Sequence, residues 1–132
     1  MSLLISKHII ASIQNDKKLT EIVGDRIYPV VIPIGTPQYP FITFTSSADN
    51  PDETKDGVCM DNVSTVMLIV SKSYNEAISI GSLVRRAIEG KTAKYEDYDI
   101  IESNMMSWTE DYAMDIDSFT VTVSFNFKTY NY

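Results

Sequence analysis

Residues 63–76 read VSTVMLIVSKSYNE, and this stretch decides the fold. Val63 to Ser71 is rich in β-branched and aliphatic residues and reads as a strand. Its centre, Val66-Met67-Leu68-Ile69-Val70, is apolar at every position. That predicts a strand inside the sheet, covered on both faces. Ser73-x-x-Glu76 follows at once and has the spacing of a capping box. The Ser73 hydroxyl and the Glu76 carboxylate would each satisfy a free backbone N–H at the start of a helix. Ala77, Ile80, Val84, Ala87 and Ile88 then recur at helical spacing. Gly81 lies on the same face, where a missing side chain permits close approach to the sheet. Gly90 closes the helix.

The flanking segments supply the rest of the sheet. Downstream, Tyr98 to Trp108 reads as a strand and Glu110 to Asp117 as an acidic turn. Phe119, Val121, Val123, Phe125 and Phe127 then alternate with Thr120, Thr122, Ser124, Asn126 and Lys128. This is the pattern of a half-buried strand, with one face on the helices and the other toward water or a partner. Upstream, Phe41 to Thr45 reads as a strand and Arg26 to Tyr28 as a brief one. Between them and the central strand, Ser46 to Asp61 carries Asp49, Asp52, Glu53, Asp56 and Asp61. It reads as a long loop or a hairpin tip, with Asp56-Gly57 as its turn signal. At the N-terminus, Ile5, Ile9 and Ile13 mark one face of a helix, with Leu4 and Ile10 widening the stripe and Ser2 as a cap. His8 falls beside that stripe and reads as a surface residue. Leu19, Ile22 and Val23 form a second, short helix that Gly24 ends. The predicted order is α-α-β-β-β-α-β-β. This is an α+β fold, a mainly antiparallel sheet with helices packed on one face. The 132 residues form a single domain, 1–132.

Composition narrows the function. Hydrophobic residues are 44% and charged residues 22%, as in globular chains, which excludes a disordered tail, a collagen-like chain and a coiled coil. Eleven basic against eighteen acidic residues leave a net charge of −7, the wrong sign for binding nucleic acid by phosphate neutralisation. Cys59 is the single cysteine, so no internal disulfide forms, and no basic neighbour activates the thiol. The apolar runs are too short for a spanning helix. Met1 to Ile13 lacks a basic leading region and a cleavage site, so no export signal is expected and synthesis is in a cytoplasm.

Motifs for chemistry do not emerge. His8 is the only histidine, so nucleophile–histidine pairs would all depend on it. The acids of 49–61 miss the calcium-loop spacing, with Gly57 out of step. The five glycines form no phosphate-binding run, and Lys17-Lys18, Arg85-Arg86 and Lys91/Lys94 are isolated pairs. No catalytic, cofactor-binding or metal-ligating residue is therefore expected, and no cofactor.

Contact groups are plentiful instead: eight tyrosines, five phenylalanines and one tryptophan. Tyrosine suits interfaces because one end is apolar and the other forms hydrogen bonds. Pro29, Pro33, Pro37 and Pro40 fall within twelve residues and make a stiff surface arm that includes Tyr28 and Tyr39. Tyr130 and Tyr132 lie at the C-terminal end. The candidate protein interface comprises Tyr28, Pro29, Pro33, Pro37 and Tyr39, with Asp52 and Asp56 of the acidic segment and Tyr130 and Tyr132. The arm adds little apolar burial, so deletion of residues 30–38 is expected to leave the monomer folded but to weaken assembly.

The string Ile22-Val23-Gly24-Asp25-Arg26-Ile27-Tyr28-Pro29, followed by Pro33-x-Gly35-Thr36-Pro37 and Tyr39-Pro40-Phe41-Ile42, resembles the tail-completion, or head-to-tail joining, proteins of long-tailed bacteriophages. Ser73-Tyr74-Asn75-Glu76-Ala77, Val84-Arg85 and Asp111-Tyr112 are similar to further motifs of that family, and the likeness spans nearly the whole chain. It implies a structural role with no catalytic residues: an adaptor that joins the tail tube to the head connector, or a terminator of the tube. It implies partners among head-connector and tail-tube proteins, self-association into a hexameric ring, and a place at the head–tail junction of a virion. DNA would pass through such a ring without specific binding. Six acidic copies around a lumen would repel phosphates and let DNA slide. A host or mobile-element binding module of similar fold, or an enzyme without recognisable motifs, are the alternatives.

Overall fold

A computed structural model of the chain describes residues 5–30, 38–47, 52–53 and 59–131. The elements run α1 (Ile5–Gln14), α2 (Lys17–Val23), β1 (Ile27–Pro29), β2 (Phe41–Ser47), β3 (Asp52–Glu53), β4 (Cys59–Ser71), α3 (Tyr74–Ile88), β5 (Ala93–Lys94), β6 (Tyr98–Ala113) and β7 (Ser118–Asn131). Without the two-residue strands β3 and β5, this is the order read from the sequence. The sheet is ordered β1-β2-β4-β7-β6-β5, with β3 beside β4. Every pairing is antiparallel except β1 with β2.

The core lies between the helices and one face of the sheet. Val121, Val123, Phe125 and Phe127 of β7 are buried there, as their alternation predicts. Val63, Met67 and Ile69 of β4 join them, with Ile5, Ile9 and Ile13 of α1 and Ala77, Ile80, Val84 and Ile88 of α3. The expectation that β4 is covered on both faces is corrected. Its second face carries Val66, 44% exposed, and a half-buried Leu68. The three described helices lie on the other side, and of the described β4 residues on this second face only Val70, paired with the buried Phe41, is buried.

The cap of α3 also differs from the box expected. Ser73 Oγ accepts from the Glu76 N–H at 3.4 Å. The Glu76 carboxylate does not return to the Ser73 N–H; it accepts from Ser71 Oγ at 2.7 Å, and Ser71 Oγ accepts from the Ser73 N–H at 3.1 Å. A buried hydroxyl at the end of β4 thus relays the second half of the box. Asp16 caps α2 through the Lys18 and Leu19 N–H groups and receives two hydrogen bonds from Arg86, locking α2 to α3. The arginine holds the Asp16 carboxyl below its ordinary range.

His8 is buried, not on the surface. Three residues beyond Ile5, it lies on the flank of the same stripe. Its Nδ1 is 2.7 Å from the Tyr95 hydroxyl, and its ring meets the Phe127 ring edge to face. Burial pushes its pKa down. Of the 46–61 segment, the described residues pair as strands: β2 and β4 pair out to Ser47 with Ser64, and β3 pairs with Cys59 and Met60. The parallel β1–β2 pair makes residues 30–40 its return connection. Deletion of 30–38 would leave too little chain to run back from Pro29 to Phe41, so β1 depends on that segment.

Candidate interaction groove

Strand β6 runs to Ala113, past the Trp108 end and through half of the expected acidic turn. Glu110 and Asp111 pair with Val121 and Thr120, which leaves Met114 to Asp117 as the turn. The β6–β7 hairpin therefore runs on to a four-residue turn at Met114–Asp117. Helix α3 lies over β4 and β7, so the helix-side face of β6 is left open along its outer half.

A bulge between Met105 and Ser107 determines what that face displays. Met106 is the extra residue and is 66% exposed. The bulge shifts the alternation by one residue, so Trp108, Glu110 and Tyr112 stand opposite Val123, Val121 and Phe119 on the helix side. A groove of about 210 Å³ results. Its β6 wall is Met105, Trp108 and Glu110, its floor Val121 and Val123, and its α3 wall Ile78, Gly81, Ser82 and Arg85. A Cβ on Gly81 would meet Val121 Cγ1 at 3.4 Å and Ile69 Cδ1 at 3.8 Å, ordinary van der Waals contact, so the packing of helix on sheet does not itself require the glycine. Trp108 is 53% exposed over this groove.

The groove is anchored at both ends. At one end, the Gly90 N–H donates to the Ser103 carbonyl at 2.8 Å, and Ser103 Oγ donates to the Lys91 carbonyl. Glu89 accepts from the Met105 N–H at 3.3 Å and pairs with Arg85. At the other end, the Tyr74 hydroxyl donates to Glu110 at 2.8 Å, which raises the tyrosine pKa. The Tyr74 and Tyr112 rings both meet Phe119 edge to face. Beyond them the turn exposes Met114 and Ile116. Lys72 Nζ donates to the Ile116 and Asp117 carbonyls and stands 4.6 Å from the centre of the Tyr39 ring.

The interface residues chosen from sequence fall into two groups. Tyr28 and Tyr39 pack on Phe41 at 6.3 and 5.3 Å between ring centroids, and Lys72 links this corner to the β6–β7 turn. Pro29 is exposed beside them at the end of β1. Tyr130 is half-buried within β7, opposite Met60, and is not a free tail. Asp52 pairs with the same Met60, so Asp52 and Tyr130 share the opposite end of the sheet. Pro33, Pro37, Asp56 and Tyr132 lie outside the described residues. The groove itself was missed. Its sequence signal is Met105-Met106-Ser107-Trp108, where large apolar residues break the alternation and mark a bulge.

The arrangement presents surfaces for binding. Among the described residues, no three histidine, cysteine, aspartate or glutamate side chains gather as a metal site, and no helix is long and apolar enough to cross a membrane. The model of the family described as tail completion protein gp17 matches residues 7–130. The chain belongs to that tail completion family. It is a virion-associated structural protein of a phage tail, and the resemblance read from residues 22–42 is correct. Its structure is similar to that of a chain from the virion of a native gene transfer agent particle. The TM-score is 0.80 at 12% identity, over 93% of this chain and 92% of that one, which establishes a common fold. No curated protein matches it by sequence.

Proposed function

We infer that this tail completion protein is a structural adaptor at the head end of the tail, which joins the tail tube to the head connector or terminates the tube. It acts by contact, without catalysis, as a hexameric ring around the DNA path. It is made in the host cytoplasm and carried in the virion at the head–tail junction. The observation that carries this reading is the family match over residues 7–130, joined to a β6–β7 hairpin that exposes large apolar residues. Trp108, Met106 and Met114 stand exposed along one hairpin, and an assembly component would bury them against partners. The net charge of −7 suits a ring through which DNA slides, because acidic walls do not hold phosphates.

The test is deletion of the gene followed by electron microscopy of the lysate. Filled heads beside detached tails of normal length identify joining, and overlong tubes identify termination. Intact, infectious particles from the deletion strain would overturn both. Tight binding of the purified protein to duplex DNA at physiological salt would overturn the sliding argument.

A further inference from the structure

Lys72, between β4 and α3, stands where three segments meet. Its Nζ donates to the Ile116 carbonyl at 2.8 Å and to the Asp117 carbonyl at 3.1 Å. The same ammonium lies 4.6 Å from the centre of the Tyr39 ring. One charge therefore serves both the β6–β7 turn and the residues that lead into β2. The turn needs an outside hold. Asp117 sits at φ 49°, in the left-handed region that aspartate tolerates but does not favour. Ile116 and Asp117 are both exposed, so burial fixes little of the turn. Two charge-assisted hydrogen bonds to consecutive carbonyls fix it instead.

The other side of the lysine is built from the β2 entry. Tyr39 is half-buried, with its ring 5.3 Å from that of Phe41. Behind it, Arg26 Nε donates to the Pro40 carbonyl at 2.8 Å, and Nη2 donates to the Ile22 carbonyl at 3.0 Å. The Ile42 N–H donates to the Arg26 carbonyl at 3.0 Å. The entry is thus anchored to the end of α2, and the Tyr39 ring meets Lys72 from a fixed base. A ring face attracts an ammonium through its quadrupole. Among the described residues, the contacts of the Tyr39 ring are with Phe41 and Lys72, so the tyrosine reaches the turn through the lysine.

We propose that Lys72 is a coupling residue that makes the β2 entry at Tyr39 and the β6–β7 turn one unit. The ring holds the ammonium over the turn, and the turn carbonyls hold it over the ring. By linkage, whatever steadies one end steadies the other. A partner packed on Tyr39 therefore steadies the hairpin end that exposes Met114 and Ile116, and a partner on that hairpin end steadies the β2 entry. This consequence rests on reading the protein as an assembly component. The link itself is a property of the free chain. Its test uses the purified protein alone, so it can fail while the assembly reading stands.

The test follows amide exchange at two reporters. One is the closing pairs of the turn, Ala113 with Ser118 and Tyr112 with Phe119; the other is the Ile42 N–H at the β2 entry. Lys72→Met keeps the aliphatic stem and removes the charge. It should speed exchange roughly tenfold at the turn and about threefold at Ile42. With Lys72 intact, Tyr39→Leu should speed exchange at the turn about threefold, whereas Tyr39→Phe, which keeps the ring face, should not. In the Lys72→Met background, Tyr39→Leu should add nothing at the turn. Arg85→Met, which breaks the separate pair with Glu89, should move neither reporter. Loosening of one reporter alone by Lys72→Met would overturn the coupling. So would a turn unmoved by Tyr39→Leu, or a Tyr39→Leu effect that persists without Lys72.

Discussion

Removing one buried hydroxyl should test the local reasoning most sharply. In Ser71→Ala the backbone of β4 stays in place, but two hydrogen bonds of the α3 start are lost. One is the Ser71 Oγ donation to the Glu76 carboxylate at 2.7 Å, the other the Ser73 N–H donation to Ser71 Oγ at 3.1 Å. A hydrogen bond to a charged group contributes about 1.5–3 kcal/mol and a neutral one about 1 kcal/mol. Glu76 is only half-buried, so water replaces part of the first. The expected net loss is about 2 kcal/mol, which at this chain length lowers Tm by roughly 6–8 °C. Ser73→Ala removes a single, longer contact of 3.4 Å and should cost about 1 kcal/mol or less. Urea titration followed by circular dichroism, with an unchanged m-value, measures both. A double-mutant cycle with Glu76→Gln should show coupling between positions 71 and 76. If Ser73→Ala proves the more damaging, or Ser71→Ala is neutral, the relay through Ser71 is wrong.

Other perturbations follow from the same geometry. His8 has a folded-state pKa below its ordinary 6.5, so the folded chain resists the proton that the unfolded chain takes up. Stability should therefore be full above pH 6.5 and decline as pH falls from there toward the lowered value; His8→Phe should remove this segment of the pH–stability curve. Asp16→Ala, which removes the α2 cap, should cost about 1 kcal/mol, and Arg86→Ala less, because that guanidinium is largely exposed. Trp108→Ser should alter stability by less than about 1 kcal/mol, since the ring is more than half exposed, yet abolish incorporation into particles in a complementation assay. Deletion of residues 30–38 should unpair β1 and lower the urea midpoint, contrary to the expectation from the arm's small apolar burial.

Most of the fold was legible because its elements report their own environment. Each residue of β7 declares its face by alternating apolar and polar, and Gly24, at φ 63°, stops α2 where the sequence places it. Misreadings arose where the environment is set by distant residues. An apolar run such as Val66–Val70 does not say which face the helices cover. The burial of His8 depends on Tyr95, 87 positions away. The outer half of β6 reads as an acidic turn because an open edge is solvated whether or not it is a strand. The groove depends on a bulge at Met106 and on how far α3 reaches across the sheet, and neither follows from periodicity. The arm tyrosines, Tyr28 and Tyr39, were noticed for their chemistry, and their shared contact with Phe41 emerges only in three dimensions.

The central claim is that this tail completion protein is a ring at the junction of head and tail. The most direct measurement is cryo-electron microscopy of intact particles, with a density tag fused to the N-terminus of the chain. The account predicts sixfold tag density confined to the joint. Tag density along the tube, at the distal tip or absent from the particle would contradict it.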